Sequence, residues 1–340
     1  MGYAAAVIGA GGMGGAHCRQ LERTDGIELR AIADADPDVL TSVGDRHDLP
    51  TDRRYDSHET LLRSESLDLV CVATPTLYHA EHVTDAARLA DPGVVFCEKP
   101  IATSVSAGES MVACCADAGI ELVVNHSRRW TESFDRLHRL IGEDQVLGEI
   151  RSVQATWKNE LVRNGTHLVD MVLSVLDGNP VGVSGQFTDF DEFDPAVAET
   201  LDDGAAGGFV TFDDGTFVSI DLTLPRDIHA RTLTLVGADG WMHIALRSGD
   251  WRYWARTGDG HVERELASTA TGWSDRTDAL ENAFQNVVGI LDGREDNLSP
   301  GPAAVDTLEV LVGLAVSSET DSHVSLPLSR PLRSVEVRTW

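Results

Sequence analysis

The stretch from Ala4 to Ala16, AAAVIGAGGMGGA, constrains the fold more than any other part of the chain. A short apolar run, Ala4 to Ile8, leads into Gly9, Gly11 and Gly14 with the spacing G-x-G-x-x-G, and Gly12 and Met13 occupy the positions between. Gly9 permits a tight strand-to-helix turn, and Gly11 lets the backbone approach a pyrophosphate. Gly14 lets the following helix pack close on the strand, with phosphates at the helix's positive N-terminus. Glycines also mark ordinary turns, so the spacing alone is a weak sign. Its setting strengthens it, because the glycines follow a strand-like run and precede a helix-like run through Leu21. A second strand, Ile27 to Ala33, ends in Asp34, about 20 residues beyond the last glycine, where a carboxylate accepts both ribose hydroxyls of an adenosine. Ala35-Asp36-Pro37 offers no cation for a 2′-phosphate. The stretch reads as a site for NAD(H) in preference to NADP(H).

A chain of 340 residues suits two domains, each able to bury its own core. No apolar run approaches the roughly 18 residues of a membrane span, and a strand at the N-terminus leaves no room for a leader, so the expected location is cytoplasmic. The five cysteines, Cys18, Cys71, Cys97, Cys114 and Cys115, contain no C-x-x-C pair. Neither a disulfide framework nor a metal site is expected from them or from the spacing of histidines and carboxylates. The formal charge is −28, and lysine occurs only at Lys99 and Lys158. Nucleic acid and anionic membranes would be repelled. Acids scattered along the whole chain, with lysine nearly eliminated, are expected of a protein adapted to high salt, where screening removes the self-repulsion.

Further strands alternate with helices. Leu67 to Ala73 is a buried-type strand ending in Thr74-Pro75-Thr76, and a helix follows from His79 to about Ala90. Val94 to Cys97 ends in Glu98-Lys99-Pro100, and a helix over 106–118 precedes a strand over 120–124. This is a doubly wound α/β sheet, which binds ligands at the carboxyl ends of its strands. From Asn125 the texture changes. Helices are expected over 132–141 and 167–176, and a strand over 149–158. Hairpins follow at Asp213-Asp214-Gly215-Thr216 and Gly237-Ala238-Asp239-Gly240. The expected domains are therefore 1–124, a Rossmann domain, and 125–340, an α+β domain with a large, mostly antiparallel open sheet. A helix over about 303–318 is expected to pack back on the Rossmann domain.

Together these motifs resemble the Gfo/Idh/MocA oxidoreductases, the family of glucose–fructose oxidoreductase and inositol dehydrogenase. The resemblance rests on Gly9-Ala10-Gly11-Gly12-Met13-Gly14 with His17, Ala73-Thr74-Pro75 with His79, Glu98-Lys99-Pro100, Arg129-Trp130, and Gly165-Thr166-His167 with Asp170. It implies an NAD-dependent dehydrogenase or reductase acting on CH–OH groups, with a sugar, polyol, sugar acid or nucleotide sugar as substrate. It also implies a homodimer or homotetramer formed through the C-terminal sheet. Two alternatives stand beside this: a dinucleotide-binding sensor or subunit without turnover, and a glycosidase or epimerase that oxidises transiently.

Oxidising a secondary alcohol requires a base for the hydroxyl proton and a cation for the developing alkoxide. The resemblance assigns these jobs to His167 and Lys99. Independently, one of only two lysines in the chain lies at the carboxyl end of a sheet strand, where arginine would keep the charge but hardly exchange a proton. The plainer reading pairs Lys99 with Glu98. His167 and Asp170 can share a helix face. The family often has an aspartate four residues before this histidine, and here the place holds Arg163. A guanidinium there suits a carboxylate or phosphate on the substrate, or else pairs with Asp170 or Glu160. Asn164, Arg129 and Trp130 are further substrate-side candidates, with a purely structural role equally open for the last two. Thr74 and Pro75 are expected against the nicotinamide ribose with Glu98 in bonding reach of it, and His79 is a cofactor-side residue or a helix cap. Trp251, Trp254 and Trp273 are sugar-site candidates, with core packing the safer reading.

Overall fold

The computed structural model describes residues 2–158, 160–187, 200–224, 231–246, 248–264, 266 and 276–338. They form two compact units. The first comprises 1–127 with 277–305, and the second 128–276 with 306–339. Residues 277–305 thus belong to the first unit although they follow most of the second in sequence.

In the first unit a six-stranded sheet is built from β1 (Tyr3–Ile8), β2 (Ile27–Ala33), β3 (Arg54–Tyr55), β4 (Leu69–Val72), β5 (Val94–Cys97) and β6 (Glu121–Val124). Its order is β3-β2-β1-β4-β5-β6, and every neighbouring pair is parallel. Helices α1 (Gly12–Leu21), α2 (Pro37–Arg46), α3 (His58–Ser64), α4 (His79–Leu89) and α5 (Val105–Ala118) connect the strands. All residues of β4 and β5 are buried, which explains their unbroken apolar sequence in a sheet covered on both faces. Local chemistry sets the helix starts. Asp36, Ser57 and Ser104 each accept a backbone N–H of the following turn, satisfying donors that the helix itself leaves orphaned.

The second unit holds α6 (Glu132–His138), β7 (Ile150–Lys158), α7 (Gly165–Ser174), β8 (Pro180–Phe187), β9 (Thr200–Asp202), β10 (Ala206–Phe212), β11 (Phe217–Leu224), β12 (Thr232–Gly237), β13 (Gly240–Ala245), β14 (Asp250–Thr257) and β15 (Gly260–Arg264). After α8 (Arg276–Leu291) and α9 (Gly301–Thr320), β16 (Val324–Ser325), α10 (Arg330–Arg333) and β17 (Glu336–Arg338) complete the chain. Nine strands form one sheet, ordered β15-β14-β13-β12-β7-β11-β10-β8-β16. Only the central β7–β11 pair is parallel. Both expected hairpins form, β10–β11 and β12–β13. Along β7 the buried Val153, Ala155 and Trp157 alternate with less buried neighbours, so one face of the sheet is packed and the other open.

One expectation needs correction. The helix expected over 303–318 is α9, which begins in the first unit and continues in the second from Asp306 onward. α9 is also long and apolar enough to cross a membrane by length and composition, but 72% of its most apolar window is buried within the protein. Its apolar character comes from packing on more than one side, which a reading of hydropathy alone does not separate from a span.

Candidate functional site

The loops that follow β1, β2, β4, β5 and β6 bring the candidate cofactor residues to one end of the first sheet. Gly9 has φ +83, and an added Cβ would lie 2.7 Å from the Thr74 methyl. At Gly14 an added Cβ would lie 1.8 Å from the Gly9 carbonyl oxygen, so only glycine lets α1 sit this close to β1. A Cβ on Gly11 would meet nothing within 4 Å. These three results match the three roles that a pyrophosphate-binding turn needs, and Gly12 and Met13 lie exposed beside them. The Gly11 N–H donates to Asp34 at 3.2 Å, and the Asp36 N–H donates to the other Asp34 oxygen at 3.0 Å. Both carboxylate oxygens are thereby fixed beside the glycine loop, each with acceptor capacity left for a hydroxyl. The residues present fit a nicotinamide dinucleotide.

Two neighbouring arginines are already committed. Arg53 pairs with Glu65. Arg54 bonds Asp45 at 2.7 Å and the Leu49 carbonyl.

Deeper in the unit, the Glu98 carboxylate accepts from His17 Nε2 at 2.9 Å and from Asn125 Nδ2 at 2.7 Å. Burial alone would raise its pKa, but the bonds from His17 and Asn125 and the charge of Lys99 hold it below the ordinary carboxylate value. His17 is itself enclosed edge-on by Phe96 and Phe284. Asn125 was not singled out from the sequence. Its signal is its place, directly after β6, where the other ligand-side polar groups of such a sheet also lie.

Lys99 stands two residues past β5, partly buried, and its N–H donates to Glu98 at 3.3 Å. The Lys99–Pro100 peptide is cis. His79 opens α4 fully buried, with Nε2 2.9 Å from the Thr74 carbonyl and Nδ1 2.9 Å from that of Pro100. Its ring ties the Thr74-Pro75 loop to the Glu98-Lys99-Pro100 loop from beneath. Burial lowers its pKa, and these carbonyls pull the other way.

The substrate-side candidates all lie in the second unit. His167 and Asp170 are on α7, as the helical spacing requires. Asp170 is 1% exposed and receives the Arg129 guanidinium as a fork, from Nε at 2.9 Å and from a terminal nitrogen at 2.9 Å. The Arg129 fork thus gives Asp170 a structural partner. Trp130 is buried.

Arg163 is 46% exposed in its side chain and lies 3.7 Å from Glu160, the pairing that one sequence reading foresaw. Glu160 has φ +77, and its carboxylate also takes the Asn164 amide. Asp203 accepts the Val162 and Arg163 N–H groups at 2.7 and 2.9 Å, holding the turn that leads into α7. Nothing in the sequence marks Asp203 among the surrounding acids. Trp254 stacks on Trp241 at 3.7 Å, Trp251 lies under Arg136, and Trp273 falls outside the described residues.

Comparison with known proteins agrees with the geometry. Residues 3–126 match the family model for the oxidoreductase family, NAD-binding Rossmann fold (GFO_IDH_MocA). The chain is 26% identical over 293 residues to D-apiose dehydrogenase of Paraburkholderia graminis, covering 80% of this chain and 74% of that protein. It is 34% identical over 149 residues to inositol 2-dehydrogenase of Rubrobacter xylanophilus, covering 43% of this chain and 40% of that protein. An oxidoreductase from Agrobacterium radiobacter, solved with NAD+, L-tartaric acid and magnesium, superposes with a TM-score of 0.78 at 18% identity, over 96% of this chain and 98% of the other. The first unit is therefore an NAD-binding Rossmann domain of the oxidoreductase type. Residues 3–126 are similar to the nucleotide-binding domains that this family model describes, and the chain as a whole shares the fold of the solved oxidoreductase.

Proposed function

We propose that the whole chain is a Gfo/Idh/MocA oxidoreductase that moves a hydride between NAD and the hydroxyl or keto carbon of a sugar, polyol or sugar acid. The observation that carries this reading is the shared sheet end, where a glycine loop with a pinned Asp34 lies at the same edge as Lys99. When bound, the nicotinamide supplies the hydride acceptor. Lys99 holds the alkoxide oxygen as the carbonyl forms, His167 takes the hydroxyl proton, and Asp170, fixed by Arg129, positions α7. Glu98 sets the charge beside Lys99, and Thr74 and Pro75 shape the ribose wall.

Asp34 supports NAD over NADP, since a 2′-phosphate would meet a carboxylate while Arg53 and Arg54 are engaged elsewhere. Arg163, with Asn164 beside it, favours a substrate bearing a carboxylate.

Self-association through the open sheet face fits the same reading. Cross-strand register places Phe217, Val236, Trp241 and Trp254 in one row through Ser152. Phe209 packs on Phe217 at 5.0 Å, and Phe209, Phe217 and Val236 are 48%, 41% and 37% exposed. Such a row suits burial against a second copy. A cytoplasm of high ionic strength suits the charge.

The test is NADH formation from a panel of sugars, uronates, inositols and nucleotide sugars in high salt. Lys99→Ala should lower turnover at least about 100-fold, in the range of general acid–base contributions, with NAD affinity nearly unchanged. Turnover that survives this change refutes the role given to Lys99.

A further inference from the structure

We propose that His58, Glu59 and Asp85 form a binding site for a divalent first-row transition metal, with Zn2+ the commonest ion of suitable chemistry. One ligand atom from each of the three lies within 4.8 Å of the other two, and this is the one such group of three or more among the described residues. His58 Nε2 stands 2.9 Å from an Asp85 oxygen, with side-chain exposures of 16% and 24%. Glu59 closes the triangle from the solvent side at 55% exposure. The sequence hid this group because the ligands come from two helices 27 residues apart, α3 and α4.

The donor set decides the class of ion. One imidazole with two carboxylates suits Zn2+ and its neighbours, whereas Mg2+ and Ca2+ favour oxygen-only sets. Metal bonds of about 2.0–2.2 Å place neighbouring donors roughly 3.3 Å apart, so the His58–Asp85 gap needs to open by only a few tenths of an ångström. Glu59 is otherwise held by Arg63 at 3.8 Å across an exposed helix turn, a pairing that contributes little.

The His58 ring lies 4.2 Å from that of His82, whose Nδ1 bonds Thr74 Oγ1 at 3.0 Å and whose ring stacks on Tyr78. A metal at this position ties α3 to α4 next to Thr74, the residue that walls the Gly9 turn.

The site stands independently of the catalytic reading. The experiment is calorimetric titration of Zn2+, with Mg2+ as control, into the untagged, chelator-treated full-length chain. The variants are Glu59→Gln, whose exposed position spares the fold, and His58→Ala. One Zn2+ equivalent per chain is expected, bound at least 10-fold more weakly by either variant, with Mg2+ showing no comparable site. Zn2+ should also raise the unfolding temperature of the wild type more than that of Glu59→Gln. Absence of a stoichiometric Zn2+ site in the wild type, or equal Zn2+ affinity in wild type and Glu59→Gln, overturns the proposal. If His58→Ala does not fold, Glu59→Gln decides alone.

Discussion

Replacing Gly11 and Gly14 separately by alanine divides the opening loop's two tasks, ligand approach and helix packing. Gly11 has φ −67 and ψ −170, a conformation alanine adopts, and its added methyl meets nothing within 4 Å. Gly11→Ala should therefore fold normally and gain about 0.4–1 kcal/mol, because alanine has less freedom to lose from the unfolded chain. The same methyl stands where the pyrophosphate must approach the backbone. Overpacking of one methyl costs about 1–3 kcal/mol, and at 1.4 kcal/mol per tenfold this weakens NAD binding about 5- to 150-fold.

Gly14→Ala behaves in the opposite way. Its methyl would sit 1.8 Å from the Gly9 carbonyl oxygen and 2.8 Å from the Gly9 carbonyl carbon, backbone atoms that no side-chain rotation moves aside. A loss of at least about 1–3 kcal/mol is expected as α1 shifts off β1. Denaturant unfolding and calorimetric NAD titration, both in concentrated KCl, read the two effects. Wild-type NAD affinity in Gly11→Ala, with the fold intact, refutes passage of the pyrophosphate over Gly11. Wild-type stability in Gly14→Ala refutes the packing argument.

Other perturbations follow from the same structure. Removing one member of the buried Arg129–Asp170 fork, as Arg129→Ala or Asp170→Asn, should destabilise the second unit by about 3–5 kcal/mol, since it strands a desolvated partner. Urea unfolding measures this, and a loss below 1 kcal/mol counts against a structural role for the fork. Raising KCl from dilute to multimolar should stabilise the protein steadily by screening a net charge of −28. A melting temperature that is flat across that range refutes adaptation to high salt.

What was legible in the sequence was local or periodic. The glycine loop, the buried β4 and β5, the helices α4 and α5 and the two Asp-Gly hairpins each follow from a few consecutive residues, and the structure places them within a residue or two of expectation. What escaped depends on partners far apart in sequence. Asn125 reaches Glu98 across 27 residues, and Asp203 holds the Val162 and Arg163 N–H groups across about 40. His58 and Asp85 likewise meet only because α3 and α4 pack side by side. In so acidic a chain one particular aspartate carries no compositional signal, so Asp203 becomes visible only once its turn is formed. The path of 277–305 back into the first unit is a matter of packing too, with Phe284 of α8 set against His17 and Phe96.

Arg163 is where the sequence left the substrate open, and its surroundings sharpen the question. The turn that presents it is held from three sides, with Asp203 on the backbone, Asn164 on Glu160, and Glu160 in a left-handed conformation that costs a non-glycine residue about 1 kcal/mol or more. Yet the Arg163–Glu160 approach is 3.7 Å with the guanidinium 46% exposed, and exposed pairs of this kind contribute only about 0–1 kcal/mol. A substrate carboxylate would supply a charge-assisted bond of about 1.5–3 kcal/mol. Arg163→Leu should accordingly lower kcat/KM about 10- to 100-fold for a uronate or other sugar acid, and by less than about 3-fold for the matching neutral polyol. Steady-state rates on paired acid and neutral substrates decide it. Equal losses on both mean that Arg163 serves only the turn, and the carboxylate preference falls with that result.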